Sequence, residues 1–206
     1  DNLAAILSMH DYLKVKRNKN HSFKDLLNLM VIAHEVQGCL AIENSLNEVG
    51  VDHVAFVKVA SAAIASKMLG QGPQKMNSTI SNSFIDGQSL RTYRHFPNTG
   101  TRKSWAAGDA SARGIKQAFI SEVSEEIYPS ALSAKTWGFN DVIMKKDSLK
   151  LQRELGSYVM DNILYKVNFP AEFHAQTAAE AAINLKKSNK FKIEDIEQVE
   201  ILTQEP

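Results

Sequence analysis

Apolar residues recur at helical spacing through the first part of the chain. One such pattern runs from Leu3 to Leu13, and a longer one runs from Phe23 to about Gly50. Ser22 can cap the second helix, with Asp25 as the acid in its first turn, and glycine is a common stop. The pattern therefore predicts two helices before residue 50.

Three further helices are predicted before residue 125: His53 to Leu69, Gln74 to Ile85, and about Ala106 to Val123. Asp52 can cap the first of them, and the segment Gly70–Pro73 ends it. The first and third are rich in alanine, serine and glycine. Helices this small and apolar are usually buried in close contact with other helices.

The pattern changes after Gly156. Tyr158 to Val167 fits a strand or an entry segment, Phe173 to Lys187 predicts a helix, and Val199 to Thr203 alternates weakly like a strand. The predicted fold is mainly α. A large all-helical domain covers residues 1–147, and a smaller α+β domain begins in residues 148–206.

Composition limits the classes of partner. The chain has 206 residues, 44% of them hydrophobic and 23% charged, with a formal net charge of +1. This is an ordinary globular composition that can bury a core. Because there is no large net charge, we expect no binding to nucleic acid or to a membrane surface, and attraction for anions must be local. No unbroken apolar run approaches the length of a membrane span.

A single cysteine, Cys39, indicates a reducing compartment. One thiol cannot hold an iron–sulfur cluster, which typically needs several. His34-Glu35 has glycine where a second zinc-binding histidine would stand, so we expect no metal ion and no other cofactor. The chain starts at Asp1 without a signal sequence, and we expect it to be an internal part of a longer protein.

The densest polar chemistry lies in the basic loop, defined as Asp86–Lys103, which has no clean period. Its cationic side chains fall within thirteen residues, with no acid between them: Arg91, Arg94, His95, Arg102 and Lys103. Arginine pairs bidentately with carboxylates, and loops often carry binding residues. Neighbouring aromatic and small residues argue for burial. The alternatives are a solvated basic loop or a contact with RNA or phosphate.

A second candidate is His174, four residues after Pro170. Proline can stand at the start of a helix, and a neutral imidazole there is suited to proton transfer. A histidine that merely caps or packs is the structural alternative.

Several segments resemble the MmgE/PrpD family, in the branch that acts on 2-methylcitrate: His34–Gly38, Ala41–Ser45, Asp86–His95, Asn98–Ala110 and Pro170–Ala178. The resemblance runs nearly end to end but covers less than half of a full family member. It implies a helical domain with a smaller α+β lid, an active site in the cleft between them, and a homodimer. It also implies dehydration of 2-methylcitrate to 2-methyl-cis-aconitate in propionate breakdown, without an iron–sulfur cluster, in bacterial cytoplasm or the mitochondrial matrix.

The resemblance also implies site residues. Lys103 aligns with an active-site lysine of the family, and Lys166 and His174 are the nearest counterparts of a second lysine and a histidine. Ser104–Ala106 replaces the Pro-Leu-His of related decarboxylases, so no histidine role is expected there. Three substrate carboxylates need several cations, and the residues expected to bind them are Arg91, Arg94, His95 and Arg102.

Two other functions fit the same sequence. One is a decarboxylase of the same family that acts on cis-aconitate. The other is a non-catalytic helical scaffold that uses the basic loop to bind an anionic partner.

Overall fold

The computed structural model describes residues 1–124, 126–145, 147–164 and 171–202. The chain forms two compact units, residues 1–162 and residues 163–206. The α-helices of the described residues are α1 Leu3–Arg17, α2 Phe23–Glu43, α3 Val54–Leu69, α4 Pro73–Ile85, α5 Arg102–Val123, α6 Phe139–Val142, α7 Tyr158–Asp161 and α8 Gln176–Ser188. Short 3₁₀ helices cover Leu46–Val49, Arg91–Arg94, Phe173–Ala175 and Ile193–Asp195. The mainly α fold class is confirmed.

The start of α2 is set by local chemistry. The Ser22 hydroxyl accepts a hydrogen bond from the Asp25 N–H at 3.1 Å, and the Asp25 carboxylate accepts from the Ser22 N–H at 2.8 Å. This reciprocal pair satisfies two N–H groups that a helix start leaves unpaired. The predicted cap at Ser22 is therefore confirmed.

The predicted end of this helix near Gly50 is wrong. The helix ends at Glu43, because Asn44 takes an extended conformation. The Asn44 side chain donates to the carbonyl of Lys150 and accepts from its N–H, at 2.8 and 2.7 Å. These bonds come from a segment 106 residues away, which no local pattern reveals.

Helix α3 is the centre of the first unit. It is buried on nearly all sides and packs against α1, α2, α4 and α5. Its small residues let α5 approach closely: a Cβ added to Gly114 would lie 2.5 Å from the Lys58 carbonyl oxygen and 2.8 Å from the Ala62 nitrogen. The close packing predicted from the small residues is confirmed.

Two large hydrophobic clusters flank α3. One joins it to α1, α2 and α5 through residues such as Ile6, Met9 and Ile64. The other joins it to α2, α4 and the segment around Phe139 and Met144. With α3 fixed from both sides, the backbone at its N-terminus is held in place, and the candidate site is built there.

The second half of α2 also holds the segment 149–159. The Glu35 side chain is buried, and its carboxylate accepts hydrogen bonds from the N–H groups of Gly156, Tyr158 and Val159 at 2.8–3.1 Å. Burial raises the pKa of Glu35, but these three donors outweigh it, and the pKa lies below its ordinary value. A buried carboxylate with three donors is an anchor for this segment.

By length and composition alone, α2 could cross a membrane. The sequence shows no unbroken apolar run there, because His34, Glu35 and Gln37 interrupt the apolar residues. Core helices of soluble proteins pass the same test, and the Glu35 contacts tie this helix to the first unit.

The second unit contains α8, which covers most of the helix predicted from Phe173; its first three residues form a 3₁₀ turn instead. The strand predicted from Val199 is not formed in the residues described to Leu202, since no segment described pairs with it. The segment from Tyr158 to Val167 was predicted as a strand or an entry segment. Its first four residues form α7, and its end at Val167 lies outside the described residues.

Candidate active site

The basic loop is fixed to the start of α3 by backbone pairing. An isolated antiparallel bridge joins Val51 and Leu90. The Asp52 N–H donates to the Ser89 carbonyl at 2.8 Å, and the Arg91 N–H donates to the Gly50 carbonyl at 3.0 Å. The residues just before α3 and the 3₁₀ turn Arg91–Arg94 are therefore held side by side.

Asp52 supplies an acid beside the cationic stretch 91–103 of the basic loop, which has none of its own. Its carboxylate is fully buried, forms an ion pair with the Arg94 guanidinium and accepts from the Val54 N–H at 3.0 Å. The N-cap position of α3 is His53, so the cap predicted at Asp52 is one residue off, but the Asp52 carboxylate still pairs with the first N–H of the helix. Burial raises the pKa of Asp52, but the Arg94 and Val54 bonds outweigh it and leave the pKa below its ordinary value. Arg94, predicted to bind substrate, thus has its guanidinium engaged by Asp52.

His53 is a site residue that sequence reasoning missed. Its Nδ1 lies 3.4 Å from Arg91 Nη1 and 3.5 Å from Asp52 Oδ1, and its side chain is 47% exposed. Burial, together with Arg94 and Arg91, lowers its pKa although Asp52 opposes the shift. A neutral imidazole beside a half-exposed arginine can accept a proton from a bound acid. The only sequence signal was a histidine at a predicted helix start.

Arg102 is held between aromatic rings. Its guanidinium carbon lies 4.4 Å from the centroid of the Trp105 ring and 5.3 Å from that of Tyr93. Nη2 also lies 3.2 Å from Ser89 Oγ and 3.4 Å from Asp109 Oδ2. Such contacts restrict the rotamers of a long side chain, so that less entropy is lost when it binds an anion.

Lys103 and His95 are both exposed. Lys103 is the second residue of α5, which begins at Arg102, and its N–H donates to the Gly100 carbonyl at 3.2 Å. The burial expected for the basic loop therefore holds for Arg94 and, in part, for Arg102. It is wrong for Lys103 and His95. A lysine in the first turn adds its charge to a helix end that already favours anions.

Two predicted catalytic residues belong to the other part of the chain. Lys166 and Pro170 lie outside the described residues. The backbone of His174 belongs to the 3₁₀ turn Phe173–Ala175, but its side chain is not among those that the structure describes. Their roles stay predictions.

Among the described residues, no three histidine, cysteine, aspartate or glutamate side chains come together to hold a metal ion. The Cys39 thiol is buried, and burial and the neighbouring Glu35 carboxylate raise its pKa. A thiol in this setting is a poor ligand, because metals bind the thiolate.

Family models match both parts of the chain. The N-terminal domain model of the MmgE/PrpD family matches residues 1–152, and the C-terminal domain model matches residues 169–206. The chain belongs to the MmgE/PrpD family. The boundary between structural domains that was predicted at residue 147 stays a prediction.

Three relatives show what share of a family member's length this chain covers. The chain is 51% identical, over its whole length, to the 2-methylcitrate dehydratases of Salmonella typhimurium and Escherichia coli K12 and to the mitochondrial 2-methylcitrate dehydratase of Yarrowia lipolytica. It spans 44%, 44% and 41% of the length of these relatives. The family has bacterial and mitochondrial members of this name.

Proposed function

We propose that the full-length protein is a hydro-lyase that removes water from 2-methylcitrate to give 2-methyl-cis-aconitate in propionate catabolism. The observation that carries this proposal is the pairing of Arg91 with His53 at the start of α3, together with Arg102 and Lys103 at the start of α5, the helix that packs on α3. The 51% identity to enzymes named for this reaction supports it. A tricarboxylate needs several cations, and this surface offers them.

The reaction balances with groups of this kind. A base removes the proton from the carbon that carries the methyl group and a carboxylate, and the C–H electron pair becomes the new C=C bond. The C–O bond of the neighbouring carbon breaks, and the hydroxyl leaves as water after taking a proton from an acid. Cations stabilise the negative charge that develops on the carboxylate beside the first carbon.

We assign roles on this basis. Arg91, Arg102 and His95 bind substrate carboxylates, and Lys103 stabilises the developing charge. Arg94 contributes mainly through Asp52, by holding the 3₁₀ turn that presents Arg91. Candidates for the base and the acid in this reaction are His53, Lys166 and His174.

The proposal includes no metal and, as the resemblance to the family implies, no iron–sulfur cluster; the one cysteine of this chain has its thiol buried beside a carboxylate. It also includes a homodimer, as the resemblance to the family implies. The proposed cellular location is the bacterial cytoplasm or the mitochondrial matrix. Light scattering of the full-length protein at low and high concentration tests the dimer.

The direct test is an assay of the full-length protein with 2-methylcitrate and, separately, with cis-aconitate. Dehydration conjugates a new double bond with carboxylates, so that ultraviolet absorbance rises, and NMR identifies the product. Water loss from 2-methylcitrate is the expected result. Carbon dioxide release from cis-aconitate without dehydration would make the protein a decarboxylase. Salt-sensitive RNA binding with neither reaction would favour the scaffold.

A further inference from the structure

Lys58 is a buried lysine on α3 that the proposed mechanism does not use. Its side chain is 3% exposed. Nζ donates to the carbonyl oxygens of Asp86 and Gly87 at 2.7 and 3.3 Å. Burying an ammonium group costs free energy unless it is well paired, so these contacts fix the first residues of the basic loop against α3.

The same lysine begins a chain of charged groups. Nζ lies 3.8 Å from Asp86 Oδ2, which is 3.6 Å from Arg113 Nη1. Arg113 Nε is 3.2 Å from Asp109 Oδ2, which is 3.4 Å from Arg102 Nη2. Alternating charges therefore connect the buried ammonium to the arginine that stacks on Trp105.

The loop between these contacts has little freedom. The Gln88 amide donates to the Asp86 carbonyl at 2.8 Å. The Ser89 carbonyl accepts a hydrogen bond from the Asp52 N–H, and the Ser89 hydroxyl accepts one from the Arg102 guanidinium. A shift of residues 86–88 would therefore move the backbone that carries Arg91 and the hydroxyl that holds Arg102.

We propose that Lys58 is a positioning residue, whose buried ammonium holds the start of the basic loop and, through the charged chain, sets Arg91 and Arg102 for binding substrate carboxylates. The identity of the substrate rests on the proposed function; the effect on the loop does not.

The charge of Lys58 gives a readout that a purely structural side chain would lack. Burial lowers the pKa of Lys58 to about 8; Arg113 also lowers it, while Asp86 and Asp109 oppose the shift. Raising the pH through this value removes the positive charge and the ion pair with Asp86. Substrate binding should therefore weaken above about pH 8 in a way that depends on Lys58.

The experiment compares full-length wild type with Lys58→Met and with a matched control, Lys75→Met. Lys75 also donates from Nζ to a backbone carbonyl, that of Glu122 at 2.9 Å, away from the basic loop. Steady-state rates with 2-methylcitrate are measured from about pH 6.5 to about pH 9.5, and backbone hydrogen exchange is followed over residues 84–95.

We expect Lys58→Met to raise KM roughly tenfold or more near pH 7, with kcat within about threefold of wild type. Part of the wild-type rise in KM above about pH 8 should be missing from this variant. Exchange over residues 84–95 should be faster. Lys75→Met should match wild type in all three measurements.

Unchanged KM and unchanged exchange in Lys58→Met, or the same changes in Lys75→Met, would overturn the proposal. If Lys58→Met does not fold, Asp86→Asn decides: it removes the ion pair but keeps the carbonyl contacts, and unchanged KM and exchange would again overturn it. If wild type does not dehydrate 2-methylcitrate, the proposed function fails, and hydrogen exchange alone decides the role of Lys58.

Discussion

At the scale of single residues, Asp52 links the start of α3 to the basic loop. Replacing it with asparagine removes the charge that pairs with Arg94, which lies mostly buried. We expect Asp52→Asn to lower the free energy of unfolding by about 1.5–3 kcal/mol, the value of a hydrogen bond to a charged group. Urea unfolding of the full-length protein measures this, with the exposed Asp11→Asn as control.

The pH dependence of this contribution has a fixed sign. The pKa of Asp52 is lower in the folded protein than in the unfolded chain. Its stabilising effect is therefore fully present above the unfolded pKa and is lost as the pH falls through the folded pKa. The difference between wild type and Asp52→Asn should shrink as the solution is made acidic. A difference that is independent of pH would contradict this.

Lys103 makes the second prediction at this scale. We expect Lys103→Ala to lower kcat roughly 10²-fold, because it removes a charge that stabilises the transition state, with the fold unchanged. Lys103→Arg should restore little activity, since the guanidinium is larger and does not release its proton. Lys116→Ala is the control, an exposed lysine on the same helix. Near-normal turnover of Lys103→Ala would exclude Lys103 from the mechanism.

At the scale of elements, Gly114 lets the backbones of α3 and α5 lie close together. A methyl group on Gly114 would overlap the backbone of Lys58 and Ala62, neither of which can move without shifting α3. We expect Gly114→Ala to destabilise the protein by about 1–3 kcal/mol through overpacking. Thermal and urea unfolding of the full-length protein measure the change.

Gly108 is the matched control on the same helix. It is exposed, and a Cβ there would meet nothing within 4 Å. Gly108→Ala should stabilise the protein by about 0.4–1 kcal/mol, because alanine loses less backbone entropy in a helix. Equal effects of the two substitutions would show that close packing at Gly114 does not limit the contact.

At the scale of the whole molecule, the proposed chemistry depends on side chains rather than on a metal. We expect full-length enzyme to keep its rate of 2-methylcitrate dehydration after exhaustive chelation, because carboxylate charge is balanced by arginine and lysine. Aconitase-type chemistry would require an iron–sulfur cluster held by several thiolates. Loss of activity that is restored by added iron would contradict the prediction.

The sequence by itself determined much of the first unit. The cap at Ser22 and the stop at Gly70, which takes a left-handed backbone conformation, are read within one turn of the helix, where local spacing decides the hydrogen bonds. Close packing of α3 and α5 was also predictable, because small side chains permit it wherever the helices meet. The positions of the cationic residues in the loop were visible as well.

Only the tertiary structure decided how these cations are used. Arg94 pairs with Asp52 and Arg91 meets His53 across separations of 42 and 38 residues, and Lys58 reaches Asp86 across 28. The end of α2 was set in the same way, by the bonds that Asn44 makes to Lys150. Such contacts form because folding brings separate elements together, and their energies depend on burial and geometry that no local pattern contains.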